Sequence, residues 1–273
     1  MRGEFVDVAG ARLYYYAAGS RGAGDPVVLL HGFPTSGHLW TDVVSHLPTG
    51  HRVIVADLLG FGRSDPPGSH PVGIRDHADR VIGLLDQLGV NYACVVGHDI
   101  GGAVALSMAA RHPQRVSRLG LVSSAAFGDW PAREVRIARA MMPLTRHLPP
   151  TWLVSALRAD LLRGYYDGNR AVRSVERYIR PFGHAEGRDA FFQHLAQLDS
   201  RETEALTPRL RDLVQPTAIV WGRHDPFLPV RIGVRLHRSI PGSTLEIIED
   251  GCHFIPEERP QHVARAVAAL LSR

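Results

Sequence analysis

Residues 95–102 read VVGHDIGG: two valines run into Gly97, then come His98, Asp99 and Ile100, then Gly101 and Gly102. An apolar run ending in small residues two positions either side of a reactive side chain is the pattern of a strand that turns sharply into a helix, with the central side chain lifted out at the turn. The centre is usually serine; here it is Asp99. Aspartate is also a common N-cap of a following helix. That role gives the flanking glycines no purpose, so the stretch predicts an elbow exposing a carboxylate.

Working outward, short apolar runs bounded by turn residues recur at PVVLLHG (26–32), RVIVADLLG (52–60), ACVVGHD (93–99), RLGLVSS (118–124), PTAIVWG (216–222) and TLEIIED (244–250). They are continuous rather than alternating, as in strands buried on both faces of a parallel sheet. EFVDVAGARLYYYAAG (4–19) alternates in both arms and predicts a hairpin turning at Gly10. Amphipathic segments of helical length, DHADRVIGLLDQLG (76–89) and GAVALSMAARHP (102–113), separate several of the runs. The alternation indicates an α/β fold with a mostly parallel central sheet.

Residues 127–206 break the rhythm. They have helical periodicity, no strand candidate, and the aromatics Trp130, Trp152, Tyr165, Tyr166, Tyr178, Phe182, Phe191 and Phe192. Lying between two strand signals, they predict a helical cap inserted into a core formed by residues 1–126 and 207–273.

All 31 basic residues are arginine, the net charge is +4, and the arginines scatter from Arg2 to Arg273 without a dense run. That distribution excludes a nucleic-acid footprint. Cys94 and Cys252 are too few for a disulfide framework and lack metal-ligand spacing. The N-terminus has no apolar signal core, and no apolar run reaches membrane-spanning length. The expectation is a cytoplasmic protein with a small-molecule substrate, no membrane or nucleic-acid partner, no metal and no organic cofactor. Oligomeric state leaves no signal in the sequence.

In open α/β sheets ligands gather at the carboxyl ends of strands. Three chemically competent side chains fall there: Asp99 at the elbow, Asp225 in WGRHDPFLP (221–229) and His253 in DGCHFIPEERP (250–260). Locally, Asp225 reads equally well as a turn residue before Pro226, and His253 is one of 15 histidines. Their position after strands and their order along the chain select them. LLHGFPTSG (29–37) is a strand ending in a glycine turn, where the N–H groups of Phe33 and Ile100 become candidate donors of an oxyanion hole. DLLGFGRSDPP (57–67) lacks the third glycine and the lysine of phosphate loops, and predicts a tight turn.

On HGFP, GFGRSD, GHDIGG, WGRHDPFLP and GCHFIPEERP the chain resembles the α/β-hydrolase superfamily over nearly its whole length. Its aspartate elbow resembles the branch containing epoxide hydrolases and haloalkane or haloacid dehalogenases. The order nucleophile, acid, histidine is that of this superfamily. The resemblance implies Asp99 as nucleophile, His253 as base, Asp225 as its orienting acid, and a cofactor-independent hydrolase. A carboxylate is already ionised at neutral pH. It suits displacement at an sp³ carbon, giving an alkyl ester that a His253-activated water then hydrolyses.

Within that branch the chain departs from each pattern. Ile100 stands where haloalkane dehalogenases of the best-known type place a halide-binding tryptophan, Phe33 where they often place asparagine, and no arginine follows the nucleophile as in fluoroacetate dehalogenase-like enzymes. Epoxide hydrolases protonate the departing oxygen with two cap tyrosines, and in YIRPFGHAEGRDAFFQHL (178–195) His194 stands at the second. Epoxide hydrolysis of a small apolar substrate is the leading expectation. Its alternatives are carbon–halogen hydrolysis, a lyase or cyclase type of activity such as β-lactone opening, and a non-catalytic ligand-binding protein. The expected substrate contacts are His31 and His98 beside the loop and elbow, and Trp130, Tyr165, Tyr166, Tyr178 and His194 from the cap.

Overall fold

Each continuous apolar run of the sequence contains a strand. The computed structural model describes residues 3–19, 24–131 and 133–273. The hairpin is β1 (Gly3–Val8) and β2 (Ala11–Ala18), followed by β3 (Val27–Leu30), β4 (Val53–Ala56), β5 (Ala93–Asp99), β6 (Val116–Ser124), β7 (Thr217–Gly222) and β8 (Thr244–Ile248). They form one sheet in the order β1-β2-β4-β3-β5-β6-β7-β8. The β1–β2 and β2–β4 pairs are antiparallel and the remaining five pairs are parallel. Every residue of β3, β4 and β7 is buried, which explains why these runs show no polar alternation.

The core helices are α1 (Thr41–His46), α2 (Ile74–Gln87) and α3 (Ile100–Arg111). Between β6 and β7 come α4 (Arg133–Thr145), α5 (Pro150–Leu162), α6 (Gly168–Ile179), α7 (Ala185–Gln197) and α8 (Ser200–Leu206), with no strand among the described residues of that span. Asp167 caps α6 through the Asn169 N–H and Asp199 caps α8 through the Arg201 N–H, each at 2.9 Å. The chain closes with α9 (Arg231–Ser239) between β7 and β8, then α10 (Ile255–Glu258) and α11 (Pro260–Leu271).

Strand order fixes where a ligand can sit. From β3 the chain passes to β4 on one side, whereas β5 lies on the other side of β3 and leads on to β6, β7 and β8. The order therefore reverses between β3 and β5. Such a switch point opens a crevice at the carboxyl ends of the strands, here bounded by the HGFP loop after β3 and by Asp99 at the end of β5.

Candidate active site

The elbow is a strained turn that the small flanking residues permit. Asp99 has φ 53° and ψ −122°, a left-handed backbone that a residue with a Cβ rarely adopts. The chain folds back so tightly that a Cβ on Gly97 would lie 2.1 Å from the Gly101 carbonyl oxygen, and one on Gly101 would lie 2.4 Å from that of His31. The small residues are thus a packing requirement of the turn. Although Asp99 occupies the N-cap position of α3, its side chain makes no capping bond. Instead Oδ2 accepts from the Phe33 N–H at 2.9 Å, and the Ile100 N–H also favours the charged carboxylate.

Asp225 and His253 meet from separate loops. His253 Nδ1 lies 2.9 Å from Asp225 Oδ2. The other oxygen of Asp225 accepts the Phe227 and Leu228 N–H groups, both at 2.9 Å. That saturates a buried carboxylate and aims one lone pair at the ring. Asp225 thus both closes the turn and contacts His253, because the turn is what orients the side chain.

Electrostatics tie the three groups together. Burial pushes the Asp99 carboxyl up to about 6, against the pull of His253 and of the two N–H donors. Burial alone would lower the His253 pKa, but Asp225, by charge and hydrogen bond, then Asp99 and Asp160 outweigh it and hold the ring above its ordinary value. A carboxylate held in a pair of N–H donors beside an imidazole with its own carboxylate can attack an electrophile and then activate water against the product.

Asp99, Ile100 and His253 open into a cavity of about 500 Å³ roofed by α4, α5 and α7. Its wall is overwhelmingly apolar, with Trp130, Leu157, Phe191 and Phe227 prominent. The further polar side chains on it are Thr145, Asp160 and Arg188. Each has a neighbour: Thr145 bonds the Met141 carbonyl at 3.1 Å, Asp160 pairs with Arg163 at 3.0 Å, and Arg188 pairs with Asp189 at 2.9 Å. A cavity of this size and lining suits a largely hydrocarbon ligand.

Of the seven expected substrate contacts, the cavity wall includes Trp130 alone. Even there the indole N–H is spent on Thr203 Oγ1 at 2.6 Å. The other six are corrections, each with a physical cause. His31 is fully buried, its Nδ1 donating to the Gly32 carbonyl and its Nε2 accepting the Leu58 N–H, so it braces two loops beneath the site. His98 points to the opposite side of the elbow from Asp99 along the strand. Its Nε2 lies 3.0 Å from the His253 carbonyl, and burial holds its pKa well below the ordinary range. Tyr165 and Tyr178 both donate to Glu257, the latter at 2.9 Å, in a buried cluster outside the cavity. Tyr166 is exposed, its ring 5.7 Å from that of His224. His194 is buried against Phe61 and stacked on His77, where burial lowers its pKa to about 3.

Asp160 and Glu257 are the residues that sequence reasoning passed over. Asp160 sits near the end of a largely apolar helix without any motif. Glu257 and Glu258 were visible in IPEE but carried no reading. Glu258 accepts the Tyr166 and Asp167 N–H groups at 2.6 and 2.9 Å, and the Gly164 carbonyl accepts the His253 and Phe254 N–H groups at 2.9 and 3.2 Å. The loop between α5 and α6 is thereby fastened to the histidine loop.

The family model for the alpha/beta hydrolase fold matches residues 25–260. A solved α/β hydrolase fold protein from Burkholderia ambifaria superposes with a TM-score of 0.88 at 27% identity, covering 98% of this chain and 100% of its own. The 2-hydroxymuconate semialdehyde hydrolase of Pseudomonas putida is 30% identical over 268 residues, 92% of this chain and 89% of that protein. Epoxide hydrolase 3 of Xenopus tropicalis is 27% identical over 290 aligned positions, 96% of this chain and 75% of that protein.

Proposed function

The chain belongs to the α/β-hydrolase fold family, and as a hydrolase of that family we propose that it attacks apolar epoxides through a covalent ester on Asp99. The observation that carries the reading is the Asp99 carboxylate itself, seated at the elbow with Oδ2 held by the Phe33 N–H at 2.9 Å. That leaves Oδ1 as the attacking atom. It forms a bond to a ring carbon as the carbon–oxygen bond breaks, and the ester's carbonyl oxygen then lies in the pair of N–H donors. His253, raised above its ordinary pKa, holds the proton that the departing oxygen takes up. The ring left neutral removes a proton from water, whose oxygen adds to the ester carbonyl. Collapse releases the diol and restores the carboxylate.

No tyrosine lies on the cavity wall among the described residues, which supports giving this proton to His253 in place of the paired cap tyrosines of epoxide hydrolases. The same observation favours a second reading, carbon–halogen hydrolysis, because a halide departs without a proton. Against it, the Trp130 N–H is occupied by Thr203, and the cavity wall has Ile100 and Phe33 where dehalogenases carry halide donors.

The test is the intact mass of a His253→Gln variant after long incubation with epoxides, alkyl halides, β-lactones and esters. Ester formation slows, because water must now supply the proton, and ester hydrolysis stops. A gain of the whole substrate mass mapped to Asp99 means ring opening, and a gain short by one hydrogen halide means dehalogenation. An alkyl halide that wild type consumes and the variant neither consumes nor traps removes the covalent mechanism, because that displacement needs no proton from His253.

A further inference from the structure

The helices that roof the cavity carry an apolar surface that the hydrolytic chemistry does not use. On α4, Ile137, Met141 and Leu144 are spaced i, i+4 and i+7 and form one stripe, yet they are 52%, 45% and 69% exposed. Trp152, at the start of α5, is 65% exposed and also lines the cavity. An amphipathic helix ordinarily turns its apolar stripe to the core. In α4 the residues Val135, Ala138 and Thr145, on the adjoining face, line the cavity, and the large apolar side chains face solvent.

Charge says what covers this surface. Between residues 135 and 159 the sequence has four arginines and no aspartate or glutamate. Arg136 and Arg146, beside the stripe, are exposed. A second copy of the chain would bring the same positive charge against itself, whereas an anionic phospholipid surface supplies the opposite charge and an apolar layer beneath it. Arginine side chains reach headgroups while their stems lie along apolar neighbours.

We propose that the α4–α5 face docks onto anionic phospholipid bilayers, with Ile137, Met141, Leu144 and Trp152 entering the interface and the cavity opening toward the acyl chains. Apolar substrate then passes from the bilayer along Trp152 and Leu148 to Asp99 without crossing water. This departs from the expectation of no membrane partner, which rested on the lack of a spanning segment. No helix among the described residues is long and apolar enough to cross a membrane, but a helix lying in the interface needs no such length. The inference rests on exposure and charge, and stands independently of the Asp99 chemistry because its test reads binding alone.

Full-length protein is floated with vesicles of phosphatidylcholine alone or mixed with phosphatidylglycerol. Binding to the anionic vesicles should be stronger by roughly tenfold or more and fall at high salt. It should weaken by a similar factor in Met141→Glu/Leu144→Glu and in Arg136→Glu/Arg146→Glu, with melting temperatures unchanged. Trp40, Trp130 and Trp221 are buried, which leaves Trp152 as the exposed indole. Brominated acyl chains should therefore quench wild-type fluorescence, and Trp152→Phe should remove the quenching, a readout independent of the charge variants. Absent flotation, equal binding to neutral vesicles, or variants that float like wild type overturn the proposal. So does a lipid-free dimer that Met141→Glu/Leu144→Glu converts to monomer, which would assign the face to a second copy.

Discussion

The Phe33 N–H donates to Asp99 Oδ2 at 2.9 Å, joining the loop after β3 to the end of β5 across the switch point of the sheet. A carboxylate oxygen already lies where the oxyanion of a tetrahedral intermediate must form, so the free enzyme has the geometry that ester hydrolysis requires. This arrangement predicts the origin of the product oxygen. With enzyme in excess in ¹⁸O water, one turnover should give unlabelled product, because its new oxygen comes from Asp99. The label should enter the Asp99 carboxylate and reach product in later turnovers. Label in the first-turnover product would mean that water attacks substrate directly and that Asp99 acts as a base.

Asp225→Asn tests the second carboxylate. Asp225 fixes the ring by accepting from His253 Nδ1 at 2.9 Å while its other oxygen is held by two backbone N–H groups. An amide there keeps the turn but presents an N–H to Nδ1, which favours the wrong tautomer for a base at Nε2. By comparison with other carboxylate–histidine pairs the loss in turnover is on the order of 10³- to 10⁴-fold. Rapid-quench measurement of both steps should find ester hydrolysis slowed more than ester formation. Wild-type rates for both would remove Asp225 from the mechanism.

The sheet was legible because buried parallel strands leave continuous apolar runs, and the elbow because its glycines are forced by close approach of Gly97 to the Gly101 carbonyl. Asp225 and His253 were legible only through strand order, since each alone reads as a loop residue. The cavity contacts were not. Which face of a cap helix meets the site depends on how α4–α8 pack over the sheet, and aromatic side chains serve roof and anchor equally well. Tyr165 and Tyr178 look like proton donors in sequence, yet they are claimed by Glu257, a residue 79 positions beyond Tyr178. His194 stands where a tyrosine was expected and is turned into the packing between α7 and α2, against His77.

That anchor makes an opposing prediction for the cap tyrosines. Burial raises the Glu257 pKa, and hydrogen bonds from Tyr165, Tyr178 and Ser174 offset only part of that rise. Removing the Tyr178 hydroxyl leaves a buried carboxyl short of a donor, at a cost of about 1–3 kcal/mol. Tyr178→Phe should therefore unfold at lower denaturant concentration while its rate of Asp99 alkylation stays close to wild type. A large fall in alkylation rate with stability unchanged would restore this tyrosine to the chemistry.

The pH profile of the first step separates the two readings of the electrophile. Asp99 must be ionised to attack, and its pKa lies at about 6, so alkylation should rise as pH passes through that region. His253 sits above its ordinary 6.5, and is protonated below that raised value and neutral above it. With an epoxide, whose oxygen takes the proton of His253, alkylation should fall again as pH passes the His253 pKa, giving a bell. An alkyl halide needs no proton, so its alkylation should rise and then stay level. Ester hydrolysis needs the neutral ring and should climb with pH for both substrates, through a lower pKa than the free enzyme's, because esterification removes the Asp99 charge that helps to raise it. The two groups interact by charge, so the inflections belong to the pair. Single-turnover rates at a series of pH values read each limb separately. Epoxide alkylation that stays level above the His253 pKa would take the proton-donor role from His253.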